Sequence, residues 1–536
     1  MDAFFSAPPS LPAALAWAIL CLTALTLGAL ISLGLHRMRL LLLSRGPGPS
    51  EAERWEGELP SVTVQLPVYN EAGVVERLLD AAARLEYPRD RLQIQLLDDS
   101  TDETSSRAAR RIEYWREQGV DVAHLRRSDR TGFKAGALAQ ATPEARGEFI
   151  LILDADFVPA PDLLKRLLPP FSDPEVGMVQ ARWDHLNEGA SLLTRCQALL
   201  LDAHFFFEQG GRYAGRLFMS FNGTAGLWRR KALDEAGGWS WDTLTEDLDV
   251  SYRCQMKGWR FVFLPQVGVP AEIPGGVRAL EVQQKRWAQG GIQTGKKILP
   301  RLLSSDWPLR IKVEGVVHLL GHLAHPLTLI LGLLLLPSAL ARETLGLQRF
   351  LFVDLAVLAG ATLSFLTVYL AAGRRRGRPL LPLVPRALAT LGLGVGLTAS
   401  VSRAVGRGLA GGRDPFLRTP KRGDGRTRYQ AARGRGDGVA KALMAGWMLL
   451  SAALAVLWGY LATLPFILLF ASGYLWLLLA GARGGEGPRT SGFAGLAIRT
   501  WTAPRDEARS GHVVDTAGGL GAGGSSPKVH PGAGTG

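Results

Sequence analysis

The chain of 536 residues has room for two or three domains, and its formal charge is +13. Its three cysteines, Cys21, Cys196 and Cys254, are too few and too scattered for a disulfide framework or a cysteine-rich zinc site, and suit free thiols in a reducing compartment. The basic excess does not indicate nucleic acid as a partner: Lys and Arg cluster beside apolar runs, as at the cytoplasmic edge of a membrane protein, and no recognition motif is present.

A spanning helix needs about 20 apolar residues. Leu11–Leu35 is such a run, so residues 1–37 are expected to form an N-terminal transmembrane helix. His36, Arg37, Arg39 and Arg45 follow it while only Asp2 precedes it, which puts its C-terminal end in the cytoplasm. A cleaved signal peptide would carry its basic end first and a shorter apolar core, and is set aside.

Residues 38–300 read as a cytoplasmic α/β domain. "SVTVQLPVYNE" opens with a strand over Val62–Leu66, "LQIQLLDDSTD" is a second that runs into acid, and "FILILDADF" is a third. Helical segments, Glu71–Leu85 and Thr104–Gln118, lie between them. Strands alternating with helices imply a parallel sheet covered on both faces. Ligands gather at the carboxyl ends of such strands, and Asn70–Glu71, Asp98–Asp99 and Asp154–Asp156 sit at three of them.

Each cluster has a chemical reading and a plainer one. Asp154 and Asp156 follow an apolar strand, and their hard oxygens suit Mg²⁺ or Mn²⁺ with positions left for phosphate; the plainer reading is a loop or helix cap. Such a metal would neutralise a leaving diphosphate. At Asp98 and Asp99 one carboxylate can accept from a base or ribose group, unless Asp99, Ser100 or Thr101 simply caps a helix. In "RTGFKAGAL", Lys134 at a helix start is placed to meet a diphosphate oxygen, or is an exposed lysine on a turn. "TEDLDVSYR" puts Glu246 and Asp247 at the head of a helix, where a carboxylate can act as general base; the rival is a capping box at Thr245.

The C-terminal part, 301–480, holds apolar runs at 313–340, 350–372, 384–401, 439–461 and 464–480. Five spans would export the segment from Arg403 to Lys441, where eleven Lys and Arg face only Asp414, Asp424 and Asp437. That conflicts with the positive-inside bias. The Gly-rich 384–401 stretch, bracketed by Pro385, Arg386 and Arg403, is therefore expected to lie along the cytoplasmic interface, leaving four spans and a cytoplasmic basic loop over 403–440. His318, His322 and His325 share a helix face beside Glu314; polar lining is preferred there to a metal site. Residues 481–536, rich in Gly, Ser and Ala, read as a disordered tail.

Taken in order, "QLPVYNE", "DDSTD", "RTGFKAGAL", "DAD", "FNGTAGLWRR", "TEDLD" and "QQKRW" resemble the processive inverting family 2 glycosyltransferases, of the cellulose synthase and cellulose-synthase-like (mannan and glucomannan synthase) type. The family's D, DxD, TED and QxxRW signature corresponds to Asp99, Asp154/Asp156, Thr245–Asp247 and Gln283/Arg286/Trp287. The resemblance implies a Rossmann-like GT-A fold joined to an α-helical transmembrane domain. It also implies a nucleotide-diphosphate sugar donor, with Asp99 on the nucleotide, Asp156 on the metal and Asp247 as base. The QxxRW segment would lie on an interfacial helix, Arg286 pairing with the diphosphate and Trp287 facing the sugar at the acceptor position. "FLRTPK", Phe416–Lys421, looks like the family's F-x-V-T-x-K gating loop, which would bring Thr419 and Lys421 to the diphosphate; Arg418 and Pro420 depart from that pattern.

The expected activity is transfer of a hexose from UDP-glucose or GDP-mannose, with inversion, to a growing β-linked polysaccharide exported across the cell's inner (plasma) membrane. The rival is a glucosyltransferase acting on a membrane lipid of ceramide or diacylglycerol type; a transporter or inactive scaffold would leave the acidic set without purpose. The partners are then donor, glycan or lipid acceptor and the bilayer, with no nucleic acid and no cyclic-dinucleotide module.

Overall fold

The computed structural model describes residues 8–46, 55–412 and 435–482. Seven strands form one mixed sheet: β1 (Val62–Val68), β2 (Leu92–Asp98), β3 (Val122–Arg126), β4 (Phe149–Ile152), β5 (Val176–His185), β6 (Gly226–Arg229) and β7 (Arg260–Ala271). Their order is β3-β2-β1-β4-β6-β5-β7, and β6 runs antiparallel to both of its neighbours while the other pairings are parallel.

Alternation along the strands fills two apolar layers. In β4, Phe149 and Leu151 pack with Leu78, Ile94 and Ile112 on one face, whereas Ile150 and Ile152 pack with Leu138, Phe205 and Trp228 on the other. The polar residues of β1 are buried but paired across the sheet: Thr63 Oγ1 donates to Gln93 Oε1 at 2.8 Å and Gln65 Nε2 to Gln95 Oε1 at 3.0 Å. These pairs leave the carboxyl ends of β1, β2 and β4 side by side in register, because Val68 lies opposite Asp98 and Gln65 opposite Ile152.

The helix expected over Glu71–Leu85 is shorter, Val75–Ala83. Asn70 sits in the left-handed region at φ 53° and its Oδ1 accepts the Thr101 N–H at 2.8 Å, so a turn intervenes before the helix. The apolar run 313–340 is likewise broken into helices Leu309–Leu319 and Ala324–Thr344, with Gly321 in the intervening turn.

Among the described residues, six segments are long and apolar enough to cross a membrane: Ala13–Leu43 before the sheet domain, and Gly321–Thr344, Gln348–Arg375, Leu380–Leu409, Asp437–Leu457 and Leu461–Ala482 after it. Leu380–Leu409, which contains the stretch expected to lie along the interface, is among them, although its mean hydropathy of 1.6 is the lowest of the six. Between the two parts runs a 27-residue helix, Val277–Leu303, that carries the QxxRW residues.

Candidate active site

The strand ends, the Val277–Leu303 helix and the head of the Glu246–Met256 helix line an open cleft. Eleven of the residues singled out in the sequence line it: Glu71, Asp99, Lys134, Asp154, Asp156, Thr245, Glu246, Asp247, Gln283, Arg286 and Trp287. Asp98 does not. It is 1 % exposed, its Oδ1 accepts the Ser100 N–H, its Oδ2 accepts from Ser105 Oγ and pairs with His124 Nε2, and these bonds outweigh burial to hold it at about 2. Asp98 therefore fixes the turn that presents Asp99. Asp99 in turn forms a two-pronged ion pair with Arg127, whose guanidinium also donates to the Thr131 and Phe133 carbonyls. Neither aspartate caps a helix; the next one starts at Thr104, whose N–H donates to Asp102 Oδ1. Thr419 and Lys421 lie outside the described residues.

Lys134 bridges two parts of the cleft, pairing with Asp154 and donating to the Gly223 carbonyl at 2.8 Å. Burial lowers its pKa, but Asp154, Glu246 and Asp247 together raise it, so it is a permanent cation among carboxylates. Asp154 is 37 % exposed, whereas Asp156 is 2 % exposed and accepts the Glu272 N–H at 3.1 Å. Among the described residues no group of three or more His, Cys, Asp or Glu side chains is placed to hold a metal ion. Two carboxylates beside an open cleft do fit Mg²⁺ or Mn²⁺, which is commonly held by one or two carboxylates and completed by water and substrate phosphates.

Asp247 stands half-buried at the first turn of its helix, its Oδ1 accepting the Leu248 N–H at 2.8 Å. Burial and the adjacent Glu246 charge push its carboxyl up to about 7, against the opposing pull of Leu248 N–H, Lys134 and Arg286. A carboxyl titrating near neutrality is matched to general-base work. The capping-box alternative at Thr245 is absent: its hydroxyl instead meets Thr294 Oγ1 at 3.0 Å.

That contact shows what the Gly pair after Trp287 does. A methyl group at Gly290 would lie 2.6 Å from Thr245 Cγ2 and 2.9 Å from the Leu244 carbonyl carbon, and one at Gly291 would lie 2.9 Å from His322 Cδ2. The missing side chains let the helix press against the Thr245–Asp247 segment on one face and the apolar helices on another. Arg286 and Trp287, one turn earlier, and Gln283, two turns earlier, consequently face the cleft. Trp287 stands 6.5 Å from Trp183, which packs in turn on Phe157 and Phe205 at 5.5 Å each.

The sequence reading missed several lining residues: Tyr69, with Arg130 stacked 3.3 Å from its ring centre, and Trp183, His185, Asn222 and Glu272; Glu71, at one of the strand ends marked in the sequence, lines the cleft as well. Tyr69, Glu71 and Asn222 lie inside quoted motifs; Trp183 and His185 reach the cleft only because β5 pairs with β7 over its full length. Of the histidines, His318 Nδ1 pairs with Tyr252 OH at 2.8 Å and His322 stacks on His325 with centroids 6.2 Å apart.

Residues 60–290 match the family described as Glycosyltransferase like family 2. Among curated proteins, the chain is 42 % identical over 254 residues to the probable glucomannan 4-beta-mannosyltransferase 7 of Oryza sativa subsp. japonica, covering 46 % of this chain and 43 % of that protein. It is 34 % identical over 340 residues to the glucomannan 4-beta-mannosyltransferase 7 of Arabidopsis thaliana, covering 62 % of this chain and 60 % of that protein. The chain thus spans about half the length of the curated relatives it matches. A mannosyltransferase from Pyrobaculum calidifontis, PcManGT, solved with GDP-Man and Mn²⁺, aligns at a TM-score of 0.47 and 23 % identity over 74 % of this chain and 99 % of its own. The α/β sheet domain joined to apolar helices is the architecture expected from the sequence.

Proposed function

Starting from a glycosyltransferase family 2 domain over residues 60–290, we propose that the protein transfers a hexose from a nucleoside-diphosphate sugar, GDP-mannose or UDP-glucose, to a growing β-linked polysaccharide with inversion, and passes the product across the membrane. One observation carries this reading: a cation, two strand-end carboxylates, a carboxyl near neutrality and an aromatic floor share one cleft. The relatives' names, glucomannan 4-beta-mannosyltransferase, support a mannosyl donor.

In this mechanism Asp247 takes the proton of an acceptor hydroxyl as its oxygen bonds to the anomeric carbon and the bond from that carbon to the diphosphate breaks. A single displacement inverts the centre, and the nucleoside diphosphate leaves. Lys134 and Arg286 balance its charge, and Asp99 orients the nucleoside. Asp154 and Asp156 would hold Mg²⁺ or Mn²⁺, which when bound supplies further positive charge to the diphosphate. Glu246 keeps Asp247 basic, and Gln283 and Trp287 seat the sugar. Thr419 and Lys421 are assigned to the diphosphate as well.

The Leu380–Leu409 helix is assigned to the cytoplasmic interface. Its beginning is tied to the sheet domain by Arg386–Glu188 (3.1 Å), and its second half to the Val277–Leu303 helix by Ser400–Glu281 (3.1 Å) and by Lys296 donating to the Leu409 carbonyl (2.7 Å). A helix of 30 residues is about 45 Å long, and one that crossed the bilayer would carry one end away from that domain.

Full-length protein in lipid, given labelled GDP-mannose or UDP-glucose with Mg²⁺ or Mn²⁺, tests the proposal. Long products cleaved by a glycanase are expected. Label in organic-soluble glycolipid would move the assignment to a lipid acceptor, and no incorporation from either donor would refute it.

A further inference from the structure

We infer that Asn222 reads a hydroxyl of the acceptor sugar, and that the π-helical turn His204–Gln209 holds its amide in one orientation. The inference rests on the glycosyl-transfer reading and adds to it a residue and the device that aims it.

The turn has an unusual geometry for a reason visible in its contacts. Residues five apart on an α-helix, at about 100° each, point about 140° away from one another. In a π-turn the i→i+5 bonding brings them onto one face. His204 and Gln209 are five apart, and both grip Asn222. Gln209 Nε2 donates to the Ser220 carbonyl and to Asn222 Oδ1, the latter at 2.6 Å, which fixes the oxygen end of the Asn222 amide toward Gln209. Asn222 Nδ2 therefore faces His204 Nε2, at 3.0 Å, and donates to it. His204 must then carry its proton on Nδ1, where it donates to Glu208 Oε2 at 2.9 Å. Glu208 also meets Arg37, at 3.2 Å, from the apolar N-terminal helix. Burial would raise the Glu208 carboxyl, but Arg37, His204 and Arg212 hold it well below its ordinary value, so it stays ionised and accepts that hydrogen bond.

An asparagine amide has two N–H donors and two lone pairs on oxygen. With one of each spent on His204 and Gln209, one donor and one acceptor are left for the cleft that Asn222 lines. A pair of that kind suits a sugar hydroxyl. Its position selects the acceptor. The next residue, Gly223, sits at φ 84°, and a side-chain carbon there would lie 3.0 Å from Asp247 Oδ2, the proposed base. The same π-turn carries Phe205 beneath Trp183, the ring that neighbours Trp287. One turn thus supports the aromatic floor and the amide together.

The test uses full-length protein in lipid with the donor that the wild type accepts and a β-1,4-linked mannose tetrasaccharide as acceptor. Three quantities are read: KM for acceptor, KM for donor, and donor hydrolysis without acceptor. Asn222→Ala is expected to raise acceptor KM about tenfold, the scale of one lost hydrogen bond, with donor KM and hydrolysis unchanged. His204→Ala should act in the same direction, and His204→Gln, whose amide oxygen can accept from Asn222, should restore most of the loss. Unchanged acceptor KM in both alanine variants, a parallel change in donor KM or hydrolysis, or His204→Gln no better than His204→Ala each overturns the inference. A wild type that neither transfers nor hydrolyses donor refutes the glycosyl-transfer reading instead, before any variant is compared.

Discussion

Replacing Gly290 by alanine is the sharpest test of how the QxxRW helix and the base are held together. Ordinary carbon–carbon contacts begin near 3.4 Å, so a methyl group 2.6 Å from Thr245 Cγ2 and 2.9 Å from the Leu244 carbonyl carbon is short by about 0.8 and 0.5 Å. Thr245 cannot rotate freely aside, since its hydroxyl is bonded to Thr294 on the same helix. Either the helix or the Thr245–Asp247 segment must move by something under about 1 Å. A displacement of that size at a reacting centre costs roughly 100-fold in rate, while overpacking costs about 1–3 kcal/mol in stability. Gly290→Ala should therefore lower kcat by one to two orders of magnitude, leave nucleotide affinity near wild type, and lower the thermal midpoint. Gly394→Ala serves as control, because a methyl group at Gly394 meets nothing within 4 Å. Labelled-sugar incorporation and nucleotide binding by fluorescence report the two quantities. Wild-type turnover in Gly290→Ala would refute the argument that backbone proximity aligns the site.

Other consequences are open to measurement. Because the Asp247 carboxyl lies at about 7 and must be ionised to accept a proton, transfer should fall tenfold per unit as pH drops below about 7. Glu246→Gln removes the neighbouring negative charge that raises it, so the acidic limb of a kcat/KM profile should move to lower pH; no movement would free Asp247 of that influence. Asp247→Asn should abolish transfer while sparing nucleotide binding, and near-normal turnover would remove Asp247 from the base role. Lys441→Met leaves the buried Glu281 without its cation, 2.9 Å away before the change, and with the Ser400 hydroxyl still beside it, which should cost on the order of 3 kcal/mol, read as a lower thermal midpoint in detergent. Lys421→Ala should slow transfer; unchanged kinetics would count against its contact with the diphosphate.

The sequence revealed those parts of the site that local pattern controls. An apolar run ending in acid marks a strand end, and three such ends marked the cleft, because parallel strands in register bring their carboxyl termini together. Adjacent residues were harder to separate. Asp98 and Asp99 read alike, and only the packing of Ser105 and His124 shows that the first is a strut and the second faces the cleft. Trp183 and His185 gave no signal, since they enter through pairing between strands about 80 residues apart in sequence. The π-turn was equally hidden: "HFFFEQ" has no pattern that distinguishes a five-residue repeat from an ordinary helical turn. The break near Gly321 was missed because hydropathy runs through it unbroken, whereas the backbone does not.

The Val277–Leu303 helix has a practical bearing on protein engineering. Its first half holds Trp287 and the Glu281–Lys441 pair, and its second half touches Thr245 through Gly290 and Thr294. A chimera that swaps the catalytic domain between homologues therefore inherits a mismatched hinge if the splice falls anywhere inside this rod. Joining the sequences beyond Leu303, and transplanting Lys441 and Ser400 along with the donor segment, keeps the rod and its sockets from one parent.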